Sequence, residues 1–111
     1  MSAVALVQGQ LDAYNAQDVD ALCSFYADDV IVSDLNATPN LHGLKAYHER
    51  HVGLFAQFPQ NQAELVSRIV IGNTVIDHER VLRNPEAVPF EVAAIYTIVG
   101  DKITRVDFVK A

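Results

Sequence analysis

Asp34 follows Val30 and Val32 at a spacing of two, which on a strand adds a carboxylate to an otherwise apolar face. Loss of water around such a group disfavours its charged form and raises its pKa, making it a usable proton donor or acceptor nearer neutrality. The plainer alternative is that the strand has ended and Asp34 is a solvated acid at the edge of the loop starting at Leu35.

A second constellation is Asp77-His78-Glu79-Arg80, four ionisable residues in succession inside a β-type pattern. Alternation sends Asp77 and Glu79 to one face and His78 and Arg80 to the other. Whichever face looks inward therefore receives ionisable groups, unless the stretch extends beyond its cover or its charges are paired across an interface. The spacing leaves the choice of face open. His78 is the favoured second proton-transfer group, because its ordinary pKa lies near neutrality. Facing Asp34 across a substrate, it would suit an enolisation, hydration or ring-closing step.

Other chemistries find less support. His48 and His51 are three apart on a helical stretch, but no familiar zinc spacing is present, and no metal site is expected. No motif asks for a cofactor. Cys23 has no evident activating base and reads as a small buried hydrophobe.

The elements that must position these residues follow from periodicity. Val4, Val7, Leu11 and Tyr14 share one face of a first helix with Ser2 as N-cap, ending near Asn15 to Gln17. Asp18 caps a second, shorter helix carrying Leu22, Phe25 and Tyr26 on one side. Val30-Ile31-Val32 is a short strand, and Asn36 to Gly43 reads as a loop. A third helix starts near Leu44, carries Tyr47, Leu54, Phe55 and Phe58, and stops at Pro59. Beyond it, Glu64 to Ile71, Thr74 to Leu82, Phe90 to Val99 and Lys102 to Lys110 read as strands. Gly72-Asn73 and Gly100-Asp101 mark tight hairpins, so the strands they join are antiparallel.

Three N-terminal helices followed by long strands define an α+β layer, a curved antiparallel sheet packed against helices around a cone-shaped hollow. On helical and strand parity Tyr14, Phe55 and Phe108 are candidates for the hollow's wall. A chain of 111 residues suits one domain spanning 1–111. With 14 acidic against 8 basic side chains, a net charge of −6 and no basic stripe, nucleic acid is not expected as a partner. Neither a signal peptide nor a membrane span is read, and the single cysteine suits a reducing cytoplasm.

The run Leu11-Asp12-Ala13-Tyr14-Asn15-Ala16-Gln17-Asp18-Val19-Asp20-Ala21-Leu22, with Phe25-Tyr26-Ala27-Asp28-Asp29-Val30, resembles the opening of SnoaL-like and ketosteroid-isomerase-like proteins of the NTF2-like superfamily, the cystatin-like roll. The Ile76 to Val81 strand and Ala94 to Phe108 extend the resemblance over nearly the whole chain. It implies a conical ligand pocket and a homodimer formed through the sheet.

Laid on the isomerases, Asp34 falls on their general base, Tyr26 and His51 on supporting aromatic positions, and Arg50 on a position often aromatic. Their oxyanion donors fall on Gln10 and near Ala94, which makes steroid isomerisation by that route an unsuitable reading. The same overlay turns Glu79 inward, whereas the residue chemistry favours His78. Two functions are thereby expected: a cofactor-independent isomerase-, cyclase- or hydratase-type enzyme acting on a small apolar organic substrate, or a domain that binds a ligand or dimerises without catalysis.

Overall fold

A computed structural model describes all residues from Met1 to Ala111. Helix α1 (Ala3–Asn15) begins where the Ser2 hydroxyl accepts the Ala5 N–H at 3.1 Å, and it ends as Gln17 turns into the left-handed region at φ 57°. Asp18 caps α2 (Val19–Cys23) in the same way, through the Ala21 N–H. The second helix is shorter than its apolar pattern suggested, because Tyr26 already belongs to strand β1 (Tyr26–Asp34).

The segment expected to be a plain loop contains a two-residue strand, β2 (Leu41–His42), folded back on Ile31 and Val32. Helix α3 (Leu44–Gln57) follows, and Pro59 lies two residues beyond it. Strands β3 (Gln62–Ile71), β4 (Thr74–Leu82), β5 (Phe90–Val99) and β6 (Lys102–Lys110) then form an antiparallel meander. Gly72 and Gly100 take φ of 58° and 63° in the β3–β4 and β5–β6 turns, which favours glycine there.

The six strands run in the order β2-β1-β6-β5-β4-β3. The sheet is mixed, because β1 pairs with β6 in parallel, with Val32 beside Val106 and Asp34 beside Phe108. Local turns dictate the meander's directions; no turn joins β1 to β6, so their direction is set by where the three helices return the chain. Irregularities in register interrupt β3 after Leu65, β5 after Thr97 and β1 after Tyr26. Such bulges add local twist and bend, and the bent sheet wraps the helical layer.

Its concave side buries two apolar clusters. The larger includes Leu6, Val7, Leu22, Val30, Val75, Ile98 and Ile103, and the smaller consists of Leu11, Ala63, Val81 and Val92. Helix α1 and strand β4 each cross from one cluster to the other, and both carry buried polar side chains on the way: Gln10 on α1, Asp77 and Glu79 on β4. Val4, expected on the buried face of α1, is instead 39% exposed, and Leu6 takes its place. Cys23 is buried without a disulfide, and no helix is long and apolar enough to cross a membrane.

Candidate ligand pocket

Between the helices and the concave sheet lies a hollow of about 180 Å³. One wall comes from α1 and α3 through Gln10, Leu11, Tyr14, Tyr47, His51 and Leu54. The other comes from the inner faces of the strands through Val32, Glu79, Val81, Val92, Tyr96, Val106 and Phe108. Arg50, Arg83 and Lys110 also border it. Tyr14 is held by a hydrogen bond from Asn61 at 2.7 Å and sits edge-on to Phe55, with ring centroids 5.3 Å apart.

The β4 parity left open by its sequence is decided by packing. Asp77 and Glu79 face inward, 0% and 6% exposed, while His78 and Arg80 point to the outer face. Asp77 is neutralised: Arg68 reaches it with Nε at 2.7 Å and Nη2 at 2.9 Å, and its Nη1 donates to Gln8 at 2.9 Å. Glu79 is not. Its Oε2 is buried with no hydrogen-bond partner. Burial, and secondarily the nearby Asp77 charge, push its pKa up to about 7, with Arg68 opposing. A carboxyl in that condition exists as acid and as base in comparable amounts near neutral pH.

A buried chain of hydrogen bonds crosses the hollow. Tyr26 donates to Gln10 Oε1 at 2.8 Å, and Gln10 Nε2 donates to the Tyr96 hydroxyl at 3.0 Å. With its oxygen already occupied as an acceptor, Tyr96 keeps its own proton for another partner. Tyr26 packs against Tyr47, with ring centroids 4.3 Å apart, and Tyr47 stacks on His51 at 4.1 Å. His51 Nδ1 lies 2.8 Å from the Tyr47 carbonyl oxygen, which can only accept, so Nδ1 carries the proton and Nε2 of the neutral ring is an acceptor. Burial lowers the His51 pKa, keeping the ring neutral.

Of the three residues expected to move protons, the structure brings only Glu79 to the hollow. Asp34 shares the inner parity of Val32, as its spacing suggested, but β1 carries it past the helical cover. It is 58% exposed at the rim, 3.7 Å from Lys110 Nζ. His78 lies on the opposite face of the sheet and bonds Glu91 at 2.7 Å. Of the expected ligand-contacting residues, Gln10, Tyr14, Tyr26, Arg50, His51 and Phe108 line the hollow, Arg50 from an exposed position bonded to Asn40. Phe55 does not: it is buried behind Tyr14 and His51 and acts as packing.

Sequence reasoning did not single out Arg83, Lys110, Phe90, Tyr96 or Tyr47 as lining residues. Strand parity held the signal for most of them. Arg83 continues the inner alternation of Glu79 and Val81, and Lys110 continues that of Val106 and Phe108.

A conical hollow enclosed by a bent mixed sheet and three helices is the architecture of NTF2-like, cystatin-fold proteins. The chain belongs to the SnoaL-like domain family, whose model matches residues 7–106. Among solved structures it is similar to a cystatin-fold protein from Novosphingobium aromaticivorans, at 33% identity over 99% of both chains with a TM-score of 0.92. It also resembles a Sinorhizobium meliloti protein provisionally named a polyketide cyclase, at 24% identity over 98% of this chain and 100% of that one, TM-score 0.80. A Kribbella flavida protein provisionally named a ketosteroid isomerase is 14% identical over 98% of this chain and 77% of that one, TM-score 0.82. The last two likenesses establish fold alone. Among curated proteins, no relative matches the sequence.

Proposed function

We propose that the hollow binds a small, largely apolar organic molecule and that Glu79 exchanges a proton with it, without a cofactor, as in an isomerase-, cyclase- or hydratase-type reaction. The observation that carries this reading is the Glu79 carboxyl, buried on the pocket wall with an unpartnered oxygen and a pKa pushed up to about 7. A group poised there can take a proton from carbon and return it. The Tyr96 hydroxyl supplies a hydrogen bond to a carbonyl oxygen on which charge develops, and His51 Nε2 is a second acceptor on the facing, helical wall. Glu79 and His51 thus take the roles expected from Asp34 and His78.

The outer face of the sheet supports a homodimer. Ile69 and Val109 are exposed there beside the half-buried Ile76 and Ile95, among the His78–Glu91 and Arg105–Asp107 pairs. A lone buried thiol is consistent with a reducing cytoplasm.

The test is carbon-acid exchange in deuterium oxide, followed by proton NMR over a panel of small enolisable carbonyl compounds. The protein should wash deuterium into at least one of them, and Glu79→Gln should slow that exchange by about 100-fold or more. Equal rates in the two proteins would remove Glu79 from the chemistry. Compounds that bind without exchanging would favour the second reading, a binding domain, which is supported by the isomerases' oxyanion donors falling on Gln10 and near Ala94.

A further inference from the structure

We infer that the ligand is a small organic anion, a single-ring carboxylate whose apolar body enters the hollow and whose charge rests on a cationic rim formed by Arg50, Arg83 and Lys110. This rests on the hollow being the ligand site. Three of the chain's eight basic side chains border this one opening, in a protein whose net charge is −6. Ion pairing does not explain the placement of the two arginines. Arg50 donates only to Asn40, through Oδ1 at 3.0 Å and the carbonyl at 3.2 Å. Arg83 donates to Asn61 at 2.9 Å and lies over the rings of Phe58 and Phe90, 5.4 and 5.0 Å from their centroids. All of these partners are neutral, so both guanidinium charges are oriented yet uncompensated, with N–H donors to spare. Lys110 alone has a carboxylate neighbour, the exposed Asp34 at 3.7 Å.

The single acid on the pocket wall, Glu79, has its pKa pushed up to about 7, so its charge offsets the rim only in part. A positive opening on a negative surface gathers anions, and guanidinium groups bind carboxylates through paired N–H donors. Size narrows the class further. An apolar cavity of about 150 Å³ accommodates a benzene-sized molecule, so a hollow of about 180 Å³ is sized for one ring.

Titration of the full chain with phenylacetate and with its neutral isostere phenylacetamide, followed by amide chemical shifts and calorimetry, tests the inference. At low salt phenylacetate should bind roughly tenfold or more tightly than phenylacetamide, a preference that added salt reduces. Arg50→Gln, an exposed substitution, should cut the preference severalfold. Arg50→Gln combined with Arg83→Gln should bring it near unity, whereas Lys45→Gln, which matches the charge change of Arg50→Gln alone but lies away from the rim, should leave it intact. Phenylacetamide binding as tightly as the acid would overturn the anionic class while leaving the hollow as a ligand site. A preference that survives the double substitution in a protein with an unchanged amide spectrum would place the anion elsewhere and also overturn it. Failure of both probes to bind would overturn this inference and the pocket reading together.

Discussion

Asp77 and Glu79 stand two positions apart on the inner face of β4, and only one of them has a cation bound to it. The bidentate Arg68 contact holds Asp77 at 2.7 and 2.9 Å, whereas Glu79 has a buried oxygen with no partner. Arg68 is consumed by the first carboxylate and only partly offsets the field that the first exerts on the second. A neutralised acid beside a protonatable one is how a single strand supplies both rigidity and a titrating group.

Stability should vary with pH through Glu79. The folded pKa of Glu79 is raised from 4.5 to about 7, so the folded protein binds the proton more tightly than the unfolded chain. Stability from this group is therefore full below about pH 4.5 and is lost as pH rises toward 7, by on the order of 3 kcal/mol. Glu79→Gln removes that loss. In urea titrations the variant should match the parent near pH 4.5 and exceed it by about 1 to 3 kcal/mol at pH 8.5. A difference between the two proteins that did not vary with pH would contradict a raised pKa.

Breaking the buried pair should be costly. Arg68→Gln leaves the fully buried Asp77 carboxylate without its cation, a loss of about 3 to 5 kcal/mol. Because Arg68 also lowers the Glu79 pKa, its removal should move the pH midpoint of proton exchange upward. An unmoved midpoint in a folded variant would show that Arg68 does not act on Glu79.

Gln10→Leu takes the acceptor from Tyr26 and the donor from Tyr96 at once. A buried hydroxyl left unpaired costs about 1 to 3 kcal/mol. Adding Tyr26→Phe to Gln10→Leu should recover part of that cost in equilibrium unfolding. A double variant no more stable than Gln10→Leu would argue that the chain adds little.

His51 should titrate below 6.5, since its burial lowers its pKa despite the bond to the Tyr47 carbonyl. A group whose pKa falls on folding favours the unfolded chain once pH drops through 6.5, so it contributes to acid destabilisation. The ring-proton shifts of His51, followed by NMR from pH 8 to 5, give the midpoint directly. A midpoint above 6.5 would contradict the buried, neutral ring.

Asp34→Asn should leave stability within about 0.5 kcal/mol and deuterium exchange within roughly threefold, because exposed ion pairs such as Asp34–Lys110 contribute little. A loss of exchange comparable to that of Glu79→Gln would return Asp34 to the chemistry.

The sequence alone determined the main elements and the family. Capping residues, the change of period after Pro59 and the two glycine turns are local signals, so the helices and the four-strand meander were readable from neighbours in the chain. Only the tertiary structure decided what those elements present to the hollow. Period two on β4 carries ionisable residues on both faces, and it took the packing of α1 against the sheet to turn Glu79 inward and His78 outward. Asp34 has the right parity on β1, yet parity says nothing about where the helical cover ends, and solvent at the rim removes the desolvation its role required. The parallel β1–β6 pairing and the meeting of Arg50, Arg83 and Lys110 at one opening join residues far apart in the chain, which local periodicity does not encode.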